Sequence, residues 1–203
     1  MKRENSKQFE RLVTGIDKIL KAKSHVIVAV SGFGGSGKTT VAEKIKNHFP
    51  DSTCIQLDNF LINRGRGEGW AGGYDWQRFE QVLTDVQAGK DLHYKFYDWH
   101  KDALSDGYID QKLPSLVIVE GVRILQPDLR AYYDLSIWID VDLDTATKRG
   151  QARDRQNWQD KSDRHGLEAH LNTWHKTWAA KDKEFYEKFH PDQLADVIYN
   201  PGS

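Results

Sequence analysis

Eight consecutive residues, Gly32 to Thr39, carry the strongest chemical signal in the chain. Their sequence, GFGGSGKT, satisfies the phosphate-loop pattern, in which glycines precede a lysine and a threonine. Glycines allow the backbone to wrap around a triphosphate, so that successive N–H groups and the next helix N-terminus point at its oxygens. The segment predicts a nucleotide site formed by Gly32, Phe33, Gly34, Gly35, Ser36, Gly37, Lys38, Thr39 and Thr40.

Two side chains of this loop have specific predicted roles. Lys38 is expected to reach the β- and γ-phosphates, and Thr39 to offer its hydroxyl to Mg²⁺, a hard cation that prefers oxygen ligands. The alternative is a glycine-rich turn without a ligand. The predicted strand before the loop and the predicted helix after it favour the phosphate site.

Two carboxylates follow predicted buried strands directly. Glu120 comes after Leu116 to Val119, and Asp58 comes after Thr53 to Leu57. Ligands of open α/β sheets bind at the carboxyl ends of the strands. Glu120 is therefore a candidate for holding Mg²⁺, and Asp58 for accepting a proton, holding Mg²⁺, or both. An ordinary strand-end acid and a turn or capping aspartate are the respective alternatives.

Several arginines could contact phosphate groups. Arg149 and Arg153 are four residues apart on a predicted helix, so they share one face, and guanidinium groups there could stabilise the charge of a transferring phosphoryl group. A solvated charged face is the alternative. The Arg64 to Gly67 segment could bind a phosphorylated substrate or be an exposed loop.

Strands and helices that could position these residues alternate along the chain. The predicted strands are His25 to Ser31, Thr53 to Leu57, Leu116 to Val119, Leu135 to Val141 and Ala195 to Tyr199. His93 to His100 and Tyr108 to Asp110 could form a hairpin. The pattern predicts an α/β fold, a doubly wound, mostly parallel sheet of the P-loop NTPase type with a small β-hairpin excursion.

Composition restricts the class of protein. The 203 residues carry 29 Lys and Arg against 30 Asp and Glu, a net charge of −1 that argues against nucleic acid or anionic membrane as the main partner. One domain, 1–203, is expected, with an N-terminal helix in 1–23, a hairpin insertion at about 90–112 and a lid region at about 144–165. The lone Cys54 and the absence of a long apolar run fit a cytoplasmic protein.

A family resemblance extends from Val26 to Asn200. The chain resembles the uridine kinase and phosphoribulokinase-like group of P-loop kinases in the order and spacing of its motifs. These are VAVSGFGGSGKTT, LDNF at Leu57 to Phe60, YDWQRF at Tyr74 to Phe79, YDWH at Tyr97 to His100, VIVEGVRIL at Val117 to Leu125, LRAYYDLSIWIDVD at Leu129 to Asp142, RGQARD at Arg149 to Asp154 and ADVIYN at Ala195 to Asn200.

The resemblance implies roles for particular residues. Asp58 would be the base and a metal-side carboxylate, Glu120 would assist Mg²⁺, and the helix with Arg149 and Arg153 would form a lid over ATP. The resemblance also implies that Asp75 and the Tyr97 to His100 segment, with Tyr97 and His100 as contacts, face the phosphate acceptor.

The expected activity is ATP- and Mg²⁺-dependent phosphorylation of a hydroxyl on a small metabolite, with a nucleoside such as uridine first. The chain departs from the usual uridine kinase pattern at four places: Leu61 where a tyrosine is typical, the spacing of His100, Arg149-Gly150 where an arginine doublet is usual, and the insertion Arg64 to Gly73. A kinase of pantothenate, a sugar or a sugar phosphate is one alternative, and a nucleotide-sensing or ATPase-like module is another. The sequence does not decide the oligomeric state, and a homo-oligomer stays open.

Overall fold

The computed structural model describes residues 2–62, 67–158 and 163–202 of the chain. Arg64, Gly65 and Arg66 lie outside the described residues, as does the part of the predicted lid region at 159–162. No helix of the described residues is long and apolar enough to cross a membrane.

Nine strands and eight α-helices are present in the described residues. The strands are β1 (Val26–Ser31), β2 (Ser52–Gln56), β3 (Leu92–Tyr94), β4 (Tyr97–Asp98), β5 (Ala103–Leu104), β6 (Ile109–Gln111), β7 (Leu116–Glu120), β8 (Leu135–Ile139) and β9 (Val197–Tyr199). The α-helices are α1 (Lys2–Leu20), α2 (Lys38–His48), α3 (Trp76–Gln87), α4 (Pro127–Arg130), α5 (Leu143–Asn157), α6 (Arg164–Thr173), α7 (Ala179–Phe189) and α8 (Pro191–Leu194). A 3₁₀ turn, Leu57–Phe60, and a π-helical turn, Trp174–Trp178, complete the described helical elements.

Five parallel strands form the central sheet in the order β2-β7-β1-β8-β9. All six residues of β1 are buried, as expected for a strand covered on both faces. Because successive side chains of a strand point to opposite faces, Ile27 and Ala29 join one apolar cluster while Val28 and Val30 join the other. The predicted doubly wound fold is confirmed.

Helices cover both faces of this sheet through apolar stripes. Leu12 and Ile16 of α1 pack with Val41 of α2 against one face. Phe79 and Leu83 of α3 pack against the other. Residues at helical spacing on one side of each helix are thereby removed from water, which is the main stabilising contribution to such a fold.

The carboxyl ends of the strands meet at one edge and carry the candidate site. The loop of Gly32 to Gly37 follows β1, the 3₁₀ turn follows β2, and Glu120 ends β7. The Ser31 hydroxyl donates to the Gly121 carbonyl over 2.9 Å, which ties the start of the phosphate loop to the end of β7. Residues far apart in sequence thus meet where the chain topology places a ligand.

The hairpin excursion differs in detail from the prediction. Instead of one long hairpin, β3 pairs with β6 and, inside it, β4 pairs with β5, both antiparallel. Ser105 explains the interruption, because its hydroxyl accepts from the Phe96 N–H (3.1 Å) and its own N–H donates to the Phe96 carbonyl (2.8 Å). The buried serine therefore holds a bend between the two ribbons.

Candidate active site

The phosphate loop passes so close to α5, the helix that carries the predicted lid arginines, that it requires glycine. Gly35 has φ +84° and Gly37 φ +99°, in the left-handed region that other residues rarely adopt. A Cβ at Gly35 would stand 2.1 Å from the Ala146 carbonyl oxygen of α5. Ser36 Oγ, in the same loop, is buried and has no hydrogen-bond partner among the described residues. A hydroxyl left in this way suits a loop that completes its bonds with a ligand.

Lys38, Thr39 and Glu120 form the phosphate and metal side of the site. Lys38 is only 8% exposed, and its ammonium donates to the Phe33 carbonyl of its own loop over 3.2 Å. The Thr39 hydroxyl donates to Glu120 Oε1 over 3.1 Å. Hydroxyl and carboxylate oxygens are suitable Mg²⁺ ligands, so this pair fits the cation.

No group of three or more His, Cys, Asp or Glu side chains within 2–62, 67–158 and 163–202 is arranged to hold a metal ion. Mg²⁺ commonly uses one or two carboxylates together with substrate phosphates and water. Thr39, Glu120 and Asp58 are a donor set of that kind.

Asp58 lies in the 3₁₀ turn that follows β2, and its carboxylate Oδ1 accepts from the Tyr74 hydroxyl over 3.3 Å. The side chain is exposed to water, but the protein atoms around it remove part of the hydration of its carboxylate. This desolvation raises the pKa of Asp58, although the charges of Lys38, Arg123 and Arg153 and the bond from Tyr74 act in the opposite direction. A carboxylate with a raised pKa is a better proton acceptor than an ordinary surface aspartate.

Glu120 is 7% exposed, and its pKa is raised by burial and by the negative charges of Asp58 and Glu43. Burial is the largest cause. Lys38 and the Thr39 hydroxyl act in the opposite direction. The two acids are therefore close enough to influence each other, which suits a shared cation site.

The structure separates the two predicted lid arginines on α5. Arg153 lies with its guanidinium 5.8 Å from the ring centroid of Trp174, and its positive charge acts on Asp58. Arg149 donates to the Gly202 carbonyl near the C-terminus over 3.4 Å. Of the two, Arg153 is the one whose charge is felt at the candidate catalytic carboxylate.

The chain resembles known proteins in sequence and in fold. No family model matches the chain. A uridine kinase of Ureaplasma urealyticum serovar 10 is 24% identical over 194 residues, covering 89% of this chain and 91% of the relative. A Bacillus stearothermophilus structure described as a possible uridine kinase has a TM-score of 0.72, at 17% identity, covering 97% of this chain and 99% of that one.

Phosphoribulokinase from Rhodobacter spheroides has the same fold, with a TM-score of 0.58 at 14% identity, covering 87% of this chain and 70% of that one. The chain is an ATP-dependent small-molecule kinase that is similar in sequence to uridine kinases and similar in fold to phosphoribulokinase. The predicted family resemblance and fold class are thereby confirmed.

The three predicted acceptor contacts of this kinase have different surroundings. Asp75 is the N-cap of α3, where its Oδ1 accepts from the Arg78 N–H over 3.0 Å. Tyr97, on β4, is buried and its hydroxyl bonds Asp102. His100 is exposed in the turn after β4, where its N–H donates to Asp98 Oδ1 over 2.9 Å. β4 packs against the 3₁₀ turn that carries Asp58, so the segment lies beside that turn, as the predicted acceptor role requires.

Sequence reasoning missed three residues that contact this site. Trp174 lies against Gly34 and Gly150, so it joins the phosphate loop to the lid helix. Asp182 Oδ2 accepts from the Gly34 N–H over 2.8 Å, and Arg123 pairs with Asp182. Arg123 follows the Glu120-Gly121 motif by two residues, and that position was the one available signal. Asp182 lies in a polar helix, and no sequence motif near it indicates a role in the site.

Proposed function

We propose that the kinase transfers the γ-phosphate of ATP to a hydroxyl of a small metabolite, with a nucleoside such as uridine as the first candidate, and that it requires Mg²⁺. The observation that carries this proposal is the placement of Asp58, a carboxylate of raised pKa, across from Lys38 of the phosphate loop. The half-buried free thiol of Cys54 agrees with a cytoplasmic location.

The phosphate loop would bind and orient the triphosphate. Backbone N–H groups of Gly37, Lys38 and Thr39, at the N-terminus of α2, supply fixed positive dipoles toward its oxygens. Lys38 would move from the Phe33 carbonyl to the β- and γ-phosphates. There its positive charge would stabilise the negative charge that shifts among the phosphate oxygens during transfer. Mg²⁺ held by Thr39, Glu120 and Asp58 would neutralise phosphate charge when bound.

Asp58 would accept the proton of the acceptor hydroxyl. The acceptor oxygen forms a bond to the γ-phosphorus, the bond from that phosphorus to the leaving ADP oxygen breaks, and the hydroxyl proton passes to the Asp58 carboxylate. The Tyr74 hydroxyl, which donates to Oδ1, fixes the direction in which the carboxylate points. Arg153 would approach the transferring group from the lid side and stabilise its charge.

A sugar or sugar phosphate is the second candidate acceptor class. The neighbour that supports it is phosphoribulokinase, which shares this fold. Leu61 is a second reason. It forms an isolated β-bridge with Tyr74, beside the proposed acceptor site, and it is aliphatic where uridine kinases typically have tyrosine. A nucleotide sensor would need the phosphate loop but neither Asp58 nor Glu120 beside it, so their placement favours a kinase.

The experiment is acceptor-dependent ADP release with a panel of nucleosides, pantothenate, sugars and sugar phosphates. Asp58→Asn keeps the shape of the side chain and removes its basicity. We expect it to reduce turnover about 10²- to 10⁴-fold while ATP affinity, measured by calorimetry, changes little. Asp91→Asn is the matched control, because Asp91 is a surface acid that bonds Lys112.

Two outcomes would contradict the proposal. ATP hydrolysis that no acceptor stimulates would favour the sensing or ATPase-like alternative. Near-parental phosphorylation by Asp58→Asn would remove Asp58 from the base role, and Glu120 would be the next carboxylate to test.

A further inference from the structure

A buried ion pair lies directly behind the phosphate loop. Arg123, between β7 and α4, donates from its Nε to Asp182 Oδ1 of α7 over 2.9 Å, and a second guanidinium nitrogen lies 2.8 Å from the same oxygen. Their side chains are 5% and 4% exposed. Two charges held this far from water need a specific arrangement of partners, because desolvation is costly for both.

The second oxygen of the Asp182 carboxylate holds the phosphate loop. Oδ2 accepts from the Gly34 N–H over 2.8 Å. A Cβ at Gly34 would lie 3.1 Å from the Trp174 ring and 3.5 Å from this oxygen, so the glycine permits the loop to lie tightly against both side chains. One carboxylate therefore binds the arginine with one oxygen and the loop backbone with the other.

The other side of the Arg123 guanidinium contacts Trp70 and Tyr74, next to the proposed acceptor site. Its NH1 donates to the Trp70 carbonyl over 3.0 Å, and its central carbon lies 5.8 Å from the ring centroid of Tyr74. Tyr74 in turn donates to Asp58. The backbone of Arg123 has φ +61°, which is uncommon for a residue other than glycine and persists where the surroundings fix it.

We propose that Arg123 and Asp182 act as a positioning pair, which holds the phosphate loop at Gly34 and the Tyr74–Asp58 unit in one fixed relation. Phosphate donor and proton acceptor must be aligned closely for in-line transfer, and small displacements reduce turnover strongly. The inference rests on the proposed function, since it takes Asp58 as the proton acceptor.

Stability alone would not require an ion pair here. Replacing both partners of a buried pair with neutral side chains is often harmless to stability, whereas removing one leaves an unpaired charge. The contacts of this pair reach both the phosphate loop and the Tyr74–Asp58 unit, which lie on opposite sides of the pair. A role in alignment and a role in stability therefore predict different behaviour of the double variant.

The experiment compares Asp182→Leu, Arg123→Met and the double variant by melting temperature, kcat and KM for ATP. We expect each single variant to lose stability and to lose roughly tenfold or more in kcat, with KM for ATP within about threefold. The double variant should regain much of the melting temperature but none of the lost kcat. Recovery of both quantities would overturn the proposal and leave a purely structural pair.

Arg130 and Asp196 provide the matched control. This ion pair has distances of 2.7 and 2.8 Å between NH2 and the two carboxylate oxygens and lies between α4 and the start of β9. Arg130→Met with Asp196→Asn should lower the melting temperature without lowering kcat. A kcat loss equal to that of the Arg123 and Asp182 variants would show that any loss of stability suffices, which would contradict the proposal.

Hydrogen exchange keeps this test independent of the acceptor. The Gly34 N–H should exchange faster in Asp182→Leu, whose side chain cannot accept a hydrogen bond, than in the parent and stay unchanged in the Asp196 control. If no acceptor is found for the parent, the proposed function fails while this measurement still decides whether Asp182 holds the loop. Unchanged exchange at Gly34 would overturn the positioning role.

Discussion

Asp58 shows how a single residue can carry a cost in stability for the sake of its chemistry. Desolvation by the surrounding protein atoms raises its pKa, so the folded protein holds its proton more tightly than the unfolded chain does. At neutral pH the folded state must keep an ionised carboxylate in an environment that disfavours the charge. Lys38 and the Tyr74 hydroxyl offset this only in part.

We therefore expect Asp58→Asn to raise the melting temperature at neutral pH. A folded-state pKa above the unfolded value means that stability falls as pH rises through the interval between them. The gain from the neutral amide should be largest above the raised pKa and should shrink toward zero as pH falls below about 4, where the unfolded carboxyl also becomes protonated. Thermal unfolding at pH 8, 6 and 4 measures this, and a variant that is equally or less stable at pH 8 would contradict it.

Asp51 gives a control of opposite sign. Its carboxylate accepts from the Ser115 hydroxyl over 2.6 Å and from the Ser115 N–H over 2.9 Å, and these bonds lower its pKa. Its contribution to stability is present above the unfolded pKa and is lost as pH falls through the lowered value. Asp51→Asn should accordingly lower the melting temperature at pH 8 and change it little at the acid end.

At the scale of elements, the lid helix α5 is fixed by its contact with the π-helical turn. Gly150 of α5 lies so close to Trp174 that a Cβ would be 2.3 Å from the ring. Asp154 of the same helix accepts from Trp174 Nε1 and bonds His170 Nε2, both at 2.9 Å. The lid helix is thus joined to the helices that follow it.

This packing predicts a sign reversal between two glycine-to-alanine changes. Gly150→Ala should destabilise the protein by about 1–3 kcal/mol because the buried contact with Trp174 leaves no room. Gly15→Ala in α1 should stabilise it by about 0.5–1 kcal/mol, since nothing lies within 4 Å of the added Cβ. Urea unfolding of both variants is the measurement. Stabilisation by Gly150→Ala would show that α5 can move away from Trp174 at little cost.

The lid arginines differ in the same element. Arg153 acts electrostatically on Asp58, while Arg149 bonds the Gly202 carbonyl. We expect Arg153→Ala to lower kcat about 10-fold or more with a smaller effect on ATP affinity, as for an interaction that strengthens in the transition state. Arg149→Ala should affect kcat less. Steady-state kinetics with calorimetry test this, and a larger kcat loss for Arg149→Ala would reverse the assignment.

At the scale of the whole molecule, the sequence predicted what depends on local pattern. The apolar run of β1, the glycines of the phosphate loop and the acids at Asp58 and Glu120 all have signatures within a few residues. The bond from the Gly34 N–H to Asp182 joins residues 148 apart, and no local pattern marks such a partner. The two nested ribbons were missed for a related reason, because the buried Ser105 that bends them looks like any loop serine.

Ligand binding should be visible in the stability of the whole chain. A ligand that binds only the folded state at about 100 times its dissociation constant adds roughly 2.7 kcal/mol, which corresponds to about 5–11 °C for a chain of this size. We expect ATP with Mg²⁺ to raise the melting temperature by that order. Lys38→Ala should abolish most of the shift if its ammonium binds the phosphates.

The same measurement separates a kinase from a nucleotide sensor at the level of the molecule. A kinase has two ligand sites on one folded unit, so a true acceptor should add its own stabilisation to that given by ADP and Mg²⁺, because each ligand binds only the folded state. A nucleotide sensor has only the nucleotide site, so no nucleoside or sugar of the panel should add to the rise in melting temperature. Because we propose Asp58 as the base that faces the acceptor, Asp58→Asn should keep the ADP shift and still respond to the acceptor, as the substitution removes basicity and not space. If no member of the panel raises the melting temperature of the parent further, the result would argue for the sensing alternative.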